Sequence, residues 1–340
     1  MAYQLLILYR RTCGGDFKRG NRTRIVVLRV SRRGTVGIFA ATRGQVAICG
    51  NVSALSAQGE KKGLKDTPMK TFLTGALLLM LSGAAGAKII TSEIDYKQDS
   101  TVFKGFVAYD DKAQGKRPGV LVVHEWWGLN DFIREKAKAL AALGYVAFAP
   151  DMYGEGRTTV DMNTASQMAG EVRGTPRMRK RVVLGYNVLG GMANVDTSRI
   201  AAIGFCFGGT AVLELAYSNA GAKGVVAFHA GLVSPEVEDL RRTFATKLLV
   251  LHGADDPFTP PDSVRHFQET LKNSTADWQI IFFGNTVHGF TNPSNGTDPK
   301  KGLAYNAVAA RRSWKYMQVF LDELFASASG AFPSIRTKQE

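Results

Sequence analysis

Residues 203–209 read Ile-Gly-Phe-Cys-Phe-Gly-Gly (IGFCFGG), a Gly204-x-Cys206-x-Gly208 turn between the apolar run Arg199 to Phe205 and a helical run, Phe207 to Tyr217. A turn this sharp from strand to helix lifts the middle side chain clear of the backbone, and its neighbours two residues away must be small. Glycine on either side meets that need. The turn also sets the sulfur at a helix N-terminus, whose partial positive charge favours thiolate over thiol. Cysteine stands where such a turn more often holds serine.

Working outward, the same alternation repeats. Thr101 to Tyr109 alternate as a strand, and Gly119 to Val123 is a short β-branched run suited to a buried parallel strand. Asn130 is placed to cap a helix that Gly144 stops, and Tyr145 to Ala149 is the next strand. A helix through Val182, Leu184, Val188 and Leu189 follows, then strands Gly224 to Phe228, Lys247 to Leu251 and Trp278 to Phe283. Helices Pro261 to Leu271 and Ala304 to Phe325 complete the series. Strand and helix in turn predict one α/β domain, a mostly parallel sheet with helices on both faces and ligands at the carboxyl ends of its strands. The irregular stretch from Met152 to Pro176 is the candidate lid.

Three residues fall just past predicted strands, in the order Cys206, Asp256, His288. Nucleophile, acid, histidine is the chain order of the α/β-hydrolase fold. His288 would be the base, and Asp256 would orient its imidazole, with Asp255 as the rival. Taken singly each is an ordinary loop residue; strand context, order and spacing together are far more specific. An oxyanion needs two backbone N–H donors. Phe207, after the nucleophile, and Trp126, in His124-Glu125-Trp126-Trp127-Gly128 after the Val120 to Val123 strand, are the candidates. Glu125 reads either as a functional carboxylate or as a rim salt bridge. Trp127, His229, Phe290 and Asn292 are candidate pocket residues. For His124 and His229 a structural role competes with a pocket role; His252 and His266 read as structural. No set of residues has convincing zinc spacing.

The chain of 340 residues has a formal net charge of +14, which invites a nucleic-acid reading. Residues 1–68, however, hold 13 Lys and Arg against 3 Asp and Glu, so the excess belongs to the front of the chain, which lacks a nucleic-acid-reading motif. Met69-Lys70 followed by an apolar run through Leu81 and by Ala85-Gly86-Ala87 has the three parts of a signal peptide, and the run is too short for a membrane anchor. The expected organisation is therefore a disordered, non-native or mis-started extension at 1–68, a signal peptide at 69–87, a catalytic domain at 88–326 and a polar tail at 327–340. Export to the periplasm or medium follows as an expectation. Cys13 and Cys49 precede the signal, leaving Cys206 as the mature chain's single cysteine, either a buried apolar thiol or a chemical one.

Together HEWWGLNDFIREKAKALAALGYVAFAPDMYG, GFCFGG, HGADDPFTP and VHGF resemble the dienelactone hydrolase family, over about Ile94 to Phe325. The resemblance implies a cysteine nucleophile at Cys206, an acid at Asp256, a base at His288 and a glutamate at Glu125 that contacts the thiol and helps activate it. It further implies ester or lactone hydrolysis through a thioester, with no metal or organic cofactor. The expected partner is a small ester or lactone, with no nucleic acid, no stable membrane insertion and a monomeric state. One departure stands out: the family's carboxylate-binding arginine, four residues after the histidine, is Asn292 here. Arg157, Arg173 and Arg177 of the lid are candidate substitutes. The rival readings are a non-catalytic small-molecule-binding protein on this fold and a broader carboxylesterase without dienelactone activity.

Overall fold

The structure, a computed structural model, describes residues 88–112, 115–241 and 243–326, and the backbone alone of 4–7, 25–30, 36–42 and 45–51. The chain divides into two units, Met1–Gly83 and Ala84–Glu340. In the first, β1 (Gln4–Ile7), β2 (Ile25–Val30), β3 (Val36–Thr42) and β4 (Gln45–Asn51) pair in sequence order as an antiparallel sheet. These strands fall within 1–68, the stretch read from sequence as an extension. The sequence of β2, IVVLRV, is rich in β-branched residues, and that propensity outweighs the neighbouring charges. The proposed signal at 69–87 and the tail at 327–340 lie outside the described residues.

The second unit is built on eight strands: β5 (Ile89–Gln98), β6 (Thr101–Asp110), β7 (Arg117–Val123), β8 (Val146–Ala149), β9 (Val195–Phe205), β10 (Gly224–Phe228), β11 (Lys247–Gly253) and β12 (Trp278–Phe283). Their spatial order is β12-β11-β10-β9-β7-β8-β6-β5. Antiparallel pairing occurs only at β5–β6 and β6–β8, so β6 alone runs against the others.

Seven helices accompany them: α1 (Asp131–Ala142), α2 (Met162–Gly170), α3 (Pro176–Gly190), α4 (Phe207–Tyr217), α5 (Val237–Leu240), α6 (Pro261–Lys272) and α7 (Ala307–Phe325). Alternation along β7 divides the core in two: Leu121 and Val123 pack with Val182, Leu189, Ala211 and Phe267, whereas Val120 and Val122 pack with Ile133, Leu140, Met317 and Leu321. Each sheet face is therefore closed by helices, as a continuously apolar parallel strand requires.

Helix starts follow the capping chemistry. Asn130 accepts from the Ile133 N–H, and Asn306 accepts from Val308 and Ala309, so α7 begins three residues later than its apolar run suggested. Edge strand β5 and helix α2 went unread, β5 because much of it is exposed and α2 because its nine residues carry only a weak apolar stripe.

Asp151, 1% exposed at the end of β8, organises the root of the lid. Its carboxylate accepts from the backbone N–H groups of Tyr153, Gly154 and Gly156 and, across the sheet, of Lys104 on β6. Its carbonyl accepts from the Tyr96 hydroxyl on β5.

Candidate active site

The sequence forces Cys206 into a conformation that L-residues avoid, with φ +54° and ψ −114°. Only glycines make the turn possible: a Cβ on Gly204 would lie 2.0 Å from the Gly208 carbonyl oxygen, and one on Gly208 would lie 2.3 Å from that of Val123. The backbone is held in place by Cys206 N–H donating to Phe228 O at 2.9 Å. The thiol is half-buried, at the start of α4.

His288 meets it from the loop after β12. Its Nδ1–H donates to Asp256 Oδ2 at 2.7 Å, and it is electrostatically coupled to Cys206. Asp256 is buried, with Oδ1 taking the Phe258 N–H at 2.9 Å, while Asp255 is exposed. Geometry therefore separates the two aspartates that the sequence left as rivals. Burial alone would depress the His288 imidazolium; electrostatic coupling to Cys206 and the hydrogen bond to Asp256 overcome it and hold the group up at about 10.

Glu125 is 3% exposed, and its Oε2 accepts from Asn292 Nδ2 at 2.6 Å. Among the described residues its hydrogen-bond partner is Asn292, which holds the carboxylate from the loop after β12. Burial pushes the carboxyl up to about 7, moderated by the Asn292 bond and by the charges of His288 and Lys136. Glu125 is not a rim salt bridge, because it lies in the interior.

Phe207, the first residue of α4, has an N–H without an intrahelical acceptor, and no described group accepts the Trp126 N–H. Trp126 is fixed by the Tyr153 hydroxyl donating to its carbonyl at 3.0 Å and by Trp127, 4.8 Å away between ring centroids. Both tryptophans are half-buried, and Trp126 packs against the core cluster that Cys206 also contacts.

Three of the four pocket candidates sit deeper than expected. Phe290 and His229 are fully buried, with His229 between Phe290 and His288 in edge-on ring contacts, and Asn292 is 2% exposed. His229 bonds Thr291 Oγ1 at 2.7 Å and stands edge-on to His288 at 5.3 Å; burial holds it well below the ordinary imidazole range, and so neutral. His124 is structural: its Nε2 accepts from Met152 N–H, which leaves Nδ1–H to donate to Glu125 O.

The lid arginines divide by partner. Arg157 is paired to Glu171 at 2.7 Å, and Arg177 donates to the Glu171 carbonyl. Arg173, exposed and without an ion pair among the described residues, lies 5.9 Å from the Phe207 ring centroid. Two surface cavities, of about 420 Å³ beside β12 and about 640 Å³ beside β5, include none of the residues assembled around Cys206. Tyr153 and Lys136 escaped the sequence reading; the one visible signal was a lysine set among the apolar positions of α1.

Comparison with known proteins finds relatives along the catalytic unit. The family model described as "Dienelactone hydrolase family" matches residues 103–325. A solved structure named m3DLH is 39% identical, with a TM-score of 0.67, covering 70% of this chain and 99% of its own. A dienelactone hydrolase-like promiscuous phosphotriesterase from metagenomic libraries is 38% identical, with a TM-score of 0.67, covering 71% and 100%. A protein of Escherichia coli (strain K12) with the provisional name carboxymethylenebutenolidase is 26% identical over 258 residues, 69% of this chain and 92% of its own.

Proposed function

The chain belongs to the dienelactone hydrolase family, and from that premise we propose that it is an exported, thiol-dependent hydrolase of small esters or lactones. The observation that carries the reading is the buried Asp256–His288 hydrogen bond, coupled electrostatically to Cys206 on its strained turn.

In the proposed cycle the Cys206 thiolate attacks the substrate carbonyl, and the new oxyanion accepts from the Phe207 and Trp126 N–H groups. Imidazolium His288 gives its Nε2 proton to the departing alcohol or enol oxygen as the C–O bond breaks, leaving a thioester. His288 then takes a proton from water, the hydroxide adds to the thioester carbonyl, and the C–S bond breaks to return the thiolate and release the acid. Asp256 keeps the imidazole oriented and stabilises its charged form. Arg173 is the lid cation placed to meet an anionic acyl group, a task that Asn292, committed to Glu125, leaves vacant.

The test is turnover of a panel of small lactones and esters, with and without a carboxylate, by the wild type, Cys206→Ala and His288→Ala. Loss of turnover in both variants is expected, and unchanged turnover in either ends the reading in favour of a binding protein. The same thiolate could attack phosphorus, as the name of the 38% identical phosphotriesterase suggests; a neutral aryl phosphotriester in the panel measures that second activity. Export through 69–87 is tested by sequencing the N-terminus of the mature protein, where a start away from Lys88 counts against it.

A further inference from the structure

His124 is fully buried at the end of β7, and both of its ring nitrogens are engaged. Nε2 accepts from the Met152 N–H at 3.1 Å, so the proton of the neutral ring sits on Nδ1 and is given to the Glu125 carbonyl at 2.6 Å. Burial lowers the ring's affinity for a second proton. The same carbonyl takes the Gly128 N–H at 3.2 Å, closing a turn through Trp126 and Trp127. That carbonyl and the Trp126 N–H are opposite ends of one trans peptide unit, so holding the oxygen on the His124 side turns the N–H to the other. Among the described residues nothing accepts that N–H. The His124 ring also lies along the Phe207 ring, with centroids 5.9 Å apart and planes 11° from each other. One buried ring therefore touches both residues whose N–H groups serve the oxyanion in the proposed cycle.

We infer that His124 is a positioning residue for the oxyanion site: its Nδ1–H fixes the plane of the Glu125–Trp126 peptide and polarises it, making the Trp126 N–H a better donor where negative charge develops. A hydrogen bond accepted by a peptide oxygen draws electron density toward that oxygen and leaves the N–H of the same unit more positive; in a buried site water does not screen the gain. The competing role is to brace Met152 at the root of the lid, and that role belongs to the other ring nitrogen. The inference rests on the thiol-hydrolase reading, which supplies the oxyanion.

The two bonds can be cut one at a time in the full chain. In His124→Asn the side-chain amide reproduces an N–H near Nδ1 and leaves the Met152 N–H unpaired; in His124→Gln the amide oxygen falls near Nε2, keeping Met152 and releasing the Glu125 carbonyl. Each variant loses one buried hydrogen bond, so a role confined to the framework predicts equal effects from both. The probe is a small aryl trifluoromethyl ketone labelled with ¹³C at its carbonyl. The Cys206 thiolate adds to that carbon, forming a C–S bond and moving the C=O π pair onto oxygen. With no leaving group the adduct stops there, and the protonation of its oxyanion is read from the ¹³C shift. In His124→Gln the pH midpoint of the oxyanion is expected to rise by about one unit and kcat for a small ester to fall about tenfold, with KM changed far less. His124→Asn should stay close to wild type in both. Equal effects in the two variants overturn the proposal, as does a larger loss in His124→Asn. The wild type gives a second reading: an oxyanion bonded to the Trp126 N–H makes the Glu125 oxygen a better acceptor, so the His124 Nδ1–H proton resonance, assigned as the one lost in His124→Asn, should move downfield when the adduct forms. An unmoved resonance also overturns the proposal. A wild type that forms no adduct removes Cys206 as the nucleophile and takes the inference with it, whereas an adduct with matched variants leaves the hydrolase reading standing and removes only the part given to His124.

Discussion

Replacing Glu125 by Gln should stabilise the protein, and by an amount that grows with pH. Gln keeps the shape and an oxygen to accept from Asn292, but it cannot ionise. In the folded chain the Glu125 carboxyl is raised from its ordinary 4.5 to about 7, because burial penalises the anion. A raised carboxyl means that the native state binds the proton more tightly than the unfolded chain does. Its contribution is therefore intact below about pH 4.5 and is lost as pH climbs to about 7, beyond which the penalty is constant. At about 1.4 kcal/mol per pH unit, the full penalty is about 3 kcal/mol. Urea unfolding of wild type and Glu125→Gln at about pH 4.5 and about pH 8.5 reads the difference; the advantage of Gln should increase by about 2 to 3 kcal/mol, near 1 M in the urea midpoint. An advantage that does not change between the two pH values would refute the reasoning, since it would mean that Glu125 does not enter the folded state with a raised proton affinity.

Cys206→Gly should abolish turnover yet raise the melting temperature, because relieving φ +54° at a non-glycine residue returns about 1 kcal/mol of backbone strain; a lowered melting temperature in a calorimetric scan would contradict this. Gly204→Ala places a Cβ 2.0 Å from a backbone oxygen and should cost at least about 3 kcal/mol, seen as loss of soluble protein or of the cooperative transition in circular dichroism. Asp256→Asn, which removes the charge 2.7 Å from His288 Nδ1, should lower kcat by roughly two to four orders of magnitude with a much smaller change in KM, measured under saturating ester.

What was legible in the sequence was local. The glycines around Cys206 declare their turn because the contacts they avoid come from adjacent chain, and the apolar runs of β10 and α4 coincide with the observed bounds. Partners distant in sequence were not legible. Glu125 and Asn292 are separated by 167 positions and meet through two different strand ends, so neither the bond nor the burial of Asn292 could be read from spacing. Choosing Asp256 over Asp255 depended on how the chain turns after β11, a matter of one residue's phase. The lid arginines differ only in whether Glu171 occupies them.

The wiring of Asp151 separates two properties of the molecule. The carboxylate ties the first turns of the lid to β6, the one reversed strand, and those bonds end at Gly156. Beyond that knot, Arg157 to Thr175 leaves and rejoins the scaffold without contributing a strand to the sheet. The segment is held there by packing instead: Met168, Ala169 and Val172 lie in the core cluster that also takes in Phe207, and the Thr159 N–H donates to the Trp127 carbonyl. A graft that alters selectivity must therefore keep those apolar positions and that one backbone bond, leaving the exposed face around Arg173 as the part open to exchange.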